Sequence, residues 1–80
     1  CTTGIGISIV ANKVKGVRAA LCNDPYAAKM TRLHNDANVL ALGGGMIGKN
    51  MAIDILEVFL NTEFSEGENH IRRISMIEPD

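Results

Sequence analysis

An α/β fold built on a parallel sheet is the architecture this 80-residue sequence predicts, and three observations carry that prediction. Helical segments alternate with two short, mostly apolar runs, at 17–22 and 39–42. Neither run alternates polar with apolar positions, as a strand with one wet face would, so each reads as a strand covered on both sides. Glycines stand where the carboxyl edge of such a sheet meets its ligands: Gly4 and Gly6 ahead of the first helix, then Gly43, Gly44 and Gly45 after the second strand.

The elements follow in order. Gly4 and Gly6 are expected to take positive φ and let the backbone approach a ligand, with residues 7–11 forming the helix behind them. Such a turn aims free N–H groups and the positive end of a helix dipole at an anion, and would lower the pKa of a thiol placed there. Cys1 supplies that thiol, and Thr2 and Thr3 lie between it and Gly4. A tight turn without a ligand is the alternative for a lone G-x-G. After the strand at 17–22, Asp24 is the expected N-cap and Pro25 the first residue of a helix running to about His34, with Tyr26, Met30 and Leu33 on one face. Residues 35–38 break it and lead into the strand at 39–42. Ile47, Met51, Ile55, Leu56 and Phe59 then mark an amphipathic helix over Lys49–Asn61. Residues 66–69 read as a loop, and 71–77 as a short final helix carrying Arg72 and Arg73.

Two strands make too narrow a floor for helices on both faces, so further strands are expected from an N-terminal half or another chain. The 80 residues are accordingly expected to be the C-terminal portion of one longer domain. In this topology the turns at Gly4, Asn23 and Gly43 open on the carboxyl edge of the sheet. His34 and Asn35 end a helix at the opposite edge, and would reach the thiol only across a subunit interface. A net charge of −1 and a pI near 6.1 argue against a nucleic-acid surface, and no apolar stretch is long enough to cross a bilayer. Two cysteines without metal-type spacing point to reduced thiols in a cytosol.

Several blocks, in this order, carry a family resemblance. They are Cys1-x-Thr3-Gly4-Ile5-Gly6-Ile7-Ser8-Ile9-x-Ala11-Asn12-Lys13, Gly16-Val17-Arg18-Ala19-Ala20, His34-Asn35-Asp36-Ala37-Asn38-Val39-Leu40, Asn61-Thr62-Glu63-Phe64 and His70-x-x-Arg73. Together they resemble the type B ribose-5-phosphate isomerases, a family that also takes in the galactose-6-phosphate isomerase subunits. The resemblance implies a Rossmann-like three-layer α/β/α sandwich with a parallel sheet, of which this chain is the C-terminal part. It implies a homodimer or dimer of dimers whose active sites are shared between subunits. The implied reaction interconverts an aldose phosphate and a ketose phosphate, ribose 5-phosphate and ribulose 5-phosphate first among them, through an enediolate and without a metal or organic cofactor.

By the same resemblance Cys1 is the proton-transfer base, and Thr3 with the amides around Gly4 and Gly6 forms the anion hole. His34 opens the sugar ring from the second subunit, Asn35 contacts sugar hydroxyls, and His70 with Arg73 holds the phosphate. Each has a plainer alternative: a small buried hydrophobe for Cys1, a helix-capping hydroxyl for Thr3, a dipole partner for His34, a solvated face for Arg72 and Arg73. Three positions depart from the family pattern, which usually has Gly at Thr2, often Arg at Gly45, and Arg at Asn69. A β-branched Thr2 restricts the backbone beside the base. Two missing cations weaken phosphate recognition, since each charge-assisted bond is worth about 1.5–3 kcal/mol; Arg72 is placed to compensate. Two further readings stand beside the isomerase: a truncated or degenerate subunit without catalysis, and an isomerase of a different sugar. A dinucleotide-binding fragment is disfavoured because the third glycine is absent and Leu21-Cys22 stands where an acidic residue should be.

Overall fold

The computed structural model describes residues 1–78. Its elements are α1 (Ile5–Ala11), β1 (Ala19–Leu21), α2 (Pro25–Asn35), β2 (Val39–Ala41), α3 (Lys49–Asn61) and α4 (Glu68–Ile77). The strands pair in parallel, Ala19 with Val39, Ala20 with Leu40 and Leu21 with Ala41. Alternation along each strand then sorts the side chains into two faces. Ala20, Leu40 and Leu42 pack with Cys22 against Ala28 of α2 and Ile55 and Phe59 of α3, which form the core. Leu21 points the other way, beneath the start of α1. The result is the expected layering, helices on both sides of a parallel sheet.

Both strands are shorter than the apolar runs that announced them, three residues each. Their entry is instead tied by Asn38, whose side chain accepts from the Arg18 N–H at 2.8 Å and donates to the Gly16 carbonyl at 2.8 Å. The outer edge of β1 is closed by a side chain as well: the Asn12 amide donates to the Ala19 carbonyl at 3.0 Å and accepts from the Ala19 N–H at 2.7 Å. Ala19 presents both groups away from β2, and the Asn12 amide pairs them as a neighbouring strand would.

α2 starts as its sequence dictates, with the Asp24 carboxylate accepting from the Ala27 N–H at 2.8 Å and Pro25 in the first turn. Tyr26, expected on the inner face, is 71% exposed; Ala28 is the buried residue of the helix. A tyrosine in the first turn extends past the end of a two-stranded sheet, whereas Ala28 lies over it. α3 has the expected bounds and buries Ile55 and Phe59, but Met51 and Leu56 remain largely exposed. So do Ile5, Ile9 and Val10 of α1 and Ile71, Met76 and Ile77 of α4. Two strands cover only one stripe of each helix, as the narrow floor implied.

Candidate active site

At the carboxyl edge of the sheet, α1 begins two residues earlier than its apolar run suggested. Gly4 alone forms the turn, as N-cap in the left-handed region with φ 78°. Gly6 is not a turn residue: it lies inside α1 with no positive φ, and its N–H is one of the first-turn donors that have no intrahelical acceptor. Gly4 is buried because the turn sits directly on the strand ends. A Cβ there would stand 2.5 Å from Leu21 Cδ1 and 2.9 Å from the Leu42 carbonyl carbon, so absence of a side chain is a packing requirement as well as a conformational one.

The three-glycine turn after β2 comes up against this first turn. Gly44 and Gly45 donate their N–H groups to the carbonyls of Cys1 and Thr2, both at 2.9 Å. Cys1 is thereby held by its backbone while its thiol is exposed. The Thr3 hydroxyl, one residue before the N-cap, accepts from the Ile5 N–H at 3.2 Å, which leaves its own O–H free to donate outward. An exposed thiol, a hydroxyl and the first amides of a helix thus share one edge, a set suited to moving a proton beside a developing oxyanion.

His34 lies in the last turn of α2. That helix of 11 residues runs back about 16 Å to the amino edge of the sheet. Its ending is fixed by a clasp. Asp36 takes the left-handed region at φ 48°; Arg32 donates to the Ala37 carbonyl at 2.6 Å and the Thr62 carbonyl at 2.9 Å. Arg18 reaches the same corner, donating to the Asp36 carbonyl at 2.9 Å and to Glu78 at 2.9 Å. The Arg32 guanidinium also lies over the Phe59 ring, 5.3 Å from its centroid. Ser65 then binds the Leu33 carbonyl through both its N–H, at 3.2 Å, and its hydroxyl, at 2.8 Å.

That last contact delivers α4 to α2. The final helix starts at Glu68, so Glu68 and Asn69 belong to its first turn rather than to a loop, and His70 lies in that turn with them. His70 stacks on His34, ring centroids 4.3 Å apart and planes 16° from parallel. Desolvation, then the neighbouring His34 and Arg73, push the His70 imidazole below its usual range. Arg73 is one turn further on and exposed, as is Arg72. His34, His70 and Arg73 therefore form one basic cluster at the amino edge. Asn35 lies apart from them, lining a cleft of about 320 Å³ with Asn12, Arg18, Thr31 and Ile77. Among the described residues no three His, Cys, Asp or Glu side chains are grouped to hold a metal ion.

The structure thus brings Cys1, Thr3, Gly4 and Gly6 together at one edge and His34, His70 and Arg73 at the other. Residues 1–77 match the Ribose/Galactose Isomerase family. The chain belongs to that family. It is 46% identical to ribose-5-phosphate isomerase B of Escherichia coli over 77 residues, which are 96% of this chain and 51% of that protein. It is 51% identical to the D-erythrulose-4-phosphate isomerase of Pectobacterium atrosepticum over 67 residues, 84% of this chain and 44% of that one. The solved type B ribose 5-phosphate isomerase of Trypanosoma cruzi superposes with a TM-score of 0.97 at 52% identity, covering 99% of this chain and 53% of that structure. The chain therefore spans about half the length of the curated relatives it matches.

Family membership leaves a group of residues to which the resemblance assigned no role, Arg18 and Asp36 inside the motif blocks and Arg32 and Ser65 outside them. Arg18, Arg32, Asp36 and Ser65 touch none of the reacting positions, yet they set where α2 ends and where α4 joins it. The signal available in the sequence was the Arg32–Asp36 spacing of four on a helix, which is too common to mark a site.

Proposed function

We propose that this chain carries two complementary parts of a sugar-phosphate aldose–ketose isomerase acting on ribose 5-phosphate and ribulose 5-phosphate. The observation that carries the reading is the separation of the thiol edge from the histidine edge, since neither is sufficient alone. In the open-chain aldose, the Cys1 thiolate takes the proton from C2 and returns it to C1 of the enediolate. The Thr3 hydroxyl and the Gly4 and Gly6 amides face the oxygen on which charge develops. His34 of a second copy moves the proton that opens the ring and the one exchanged between the two oxygens, with Asn35 on the sugar hydroxyls. His70 and Arg73 hold the phosphate by charge and, for Arg73, by a planar fork. Such a site needs a homodimer in which the amino edge of one copy faces the carboxyl edge of the other.

A second substrate is favoured by one finding: a relative at 51% identity is named for a four-carbon ketose phosphate, so the sugar's length is open within the same chemistry. Subunit mixing tests the shared site. In the intact protein, Cys1→Ala and His34→Ala should each reduce turnover by about 10²–10⁴. After exchange, heterodimers should regain one working site of their two. Unchanged turnover in Cys1→Ala, or no recovery once exchange is demonstrated, would remove the assignment.

A further inference from the structure

The three glycines of the turn after β2 are glycine for different reasons. At position 43 a Cβ would stand 2.7 Å from the Thr3 carbonyl oxygen, so backbone excludes it. At position 44 the nearest atom would be the Cys1 carbonyl oxygen at 3.6 Å, an ordinary contact. At position 45 the nearest atom is Thr2 Cγ2 at 2.6 Å, with the Thr2 carbonyl oxygen next at 3.3 Å. The backbone of Gly45 is not in the left-handed region, so the constraint there is space and not conformation. One methyl group decides it. The Thr2 backbone has little freedom to yield, because the Gly44 and Gly45 N–H groups hold the carbonyls of Cys1 and of Thr2 itself at 2.9 Å, so its β-branched side chain gives way only by changing rotamer.

We propose that Thr2 is the specificity-determining residue of this edge, keeping position 45 free of a side chain through its Cγ2. The wall beside Cys1 is then short and uncharged. It accommodates the hydroxyl-bearing stem of the sugar, and the anionic group is left to His70 and Arg73 of the other edge. This assignment rests on the sugar-phosphate isomerase reading; the steric coupling beneath it does not. Any side chain added at position 45 must turn the Thr2 side chain to another rotamer, and the displaced residue lies between the proposed base and Thr3.

A double-mutant cycle in the intact protein tests it, with Gly45→Ala, Thr2→Ser and the pair. Thr2→Ser removes Cγ2 and keeps the hydroxyl. Gly45→Ala alone should lower Tm by about 2–8 °C and slow turnover about tenfold. Adding Thr2→Ser should recover most of both. In a second arm, Gly45→Arg combined with Thr2→Ser should raise kcat/KM for a phosphorylated over an unphosphorylated pentose by about tenfold, whereas Gly45→Arg alone gains little and loses turnover. Thr2's hold on position 45 is overturned if Gly45→Ala is equally harmless, or equally damaging, with and without Thr2→Ser. The specificity role is overturned if Gly45→Arg gains as much alone as in the pair. Melting requires no substrate, so the two failures separate: coupling without any isomerase activity would sink the isomerase reading and the sugar-stem assignment with it, and activity without coupling would sink the role of Thr2.

Discussion

The two edges of the sheet are held together by opposite means. At the carboxyl edge, order comes from missing side chains: Gly4 and Gly43 each leave room for the other's turn, and Cys1 and Thr2 are tied down by amides of Gly44 and Gly45. At the amino edge it comes from long side chains, Arg18 and Arg32 gathering Asp36, Glu78 and the carbonyls of residues 36, 37 and 62. The contrast suits the proposed division of labour. A base that must meet a particular carbon benefits from a backbone with no alternatives, and a cluster that receives a charged group benefits from cations already fixed at their roots.

The difference predicts how each edge breaks. The largest effect should come from Gly4→Ala. Its Cβ combines a left-handed φ with contacts of 2.5 Å to Leu21 Cδ1 and 2.9 Å to the Leu42 carbonyl carbon; the leucine side chain can turn aside, but the Leu42 backbone cannot retreat without moving the turn that follows β2. We expect a loss of about 2–5 kcal/mol of stability, summing backbone strain and overpacking. Denaturant unfolding of the intact protein measures it, and a loss below about 1 kcal/mol would show that the turn yields where it is described as seated.

Arg32→Ala should break the other edge more gently. It removes two hydrogen bonds to carbonyls, the Asp36 ion pair at 3.7 Å and the stack on Phe59. Because the guanidinium is partly exposed, its ion pair counts for little, and about 1–3 kcal/mol is expected, chiefly from the Ala37 and Thr62 carbonyls left without a donor. The diagnostic readout is local: protection of the α2 C-terminal amides from hydrogen exchange should fall while amides of α1 keep theirs. Equal loss in both helices would mean that the two edges are not separately held.

The same contrast explains what could be seen in the sequence. Glycines are visible one letter at a time, and Asp24-Pro25 marks a helix start wherever it occurs, so the layers, α3 and the carboxyl-edge turn were legible. Gly6 was misread because a G-x-G string does not tell which glycine turns the chain; only the seat of Gly4 over Leu21 decides that. Tyr26 was misread because periodicity gives a face but not the width of the sheet beneath it. The clasp at the amino edge was invisible for a deeper reason. Arg18 meets Asp36 and Glu78 across 18 and 60 residues, and no local pattern encodes such pairings. The stacking of His34 on His70 has the same character: each was picked out, but their meeting depends on Ser65 binding the Leu33 carbonyl.

That stack gives the smallest and most selective test. His70 faces His34 from α2 and Arg73 from its own helix, and burial and both neighbours disfavour its charged form. A histidine with a lowered folded-state pKa binds fewer protons folded than unfolded, so stability rises with pH through the affected range. The contribution is complete above the ordinary value of 6.5 and is lost as pH falls below it toward the folded pKa. Acidification from pH 7.5 to 5.5 should therefore loosen α4 from α2 before the carboxyl edge responds. Melting temperature measured across that range should fall more for the native sequence than for His70→Gln, which keeps a flat polar group and cannot charge. The effect should be smaller than that of Arg32→Ala, because His70 is only half-buried and solvent screens its neighbours. Identical pH profiles for the two proteins would mean that the charging of His70 is not what loosens α4 from α2.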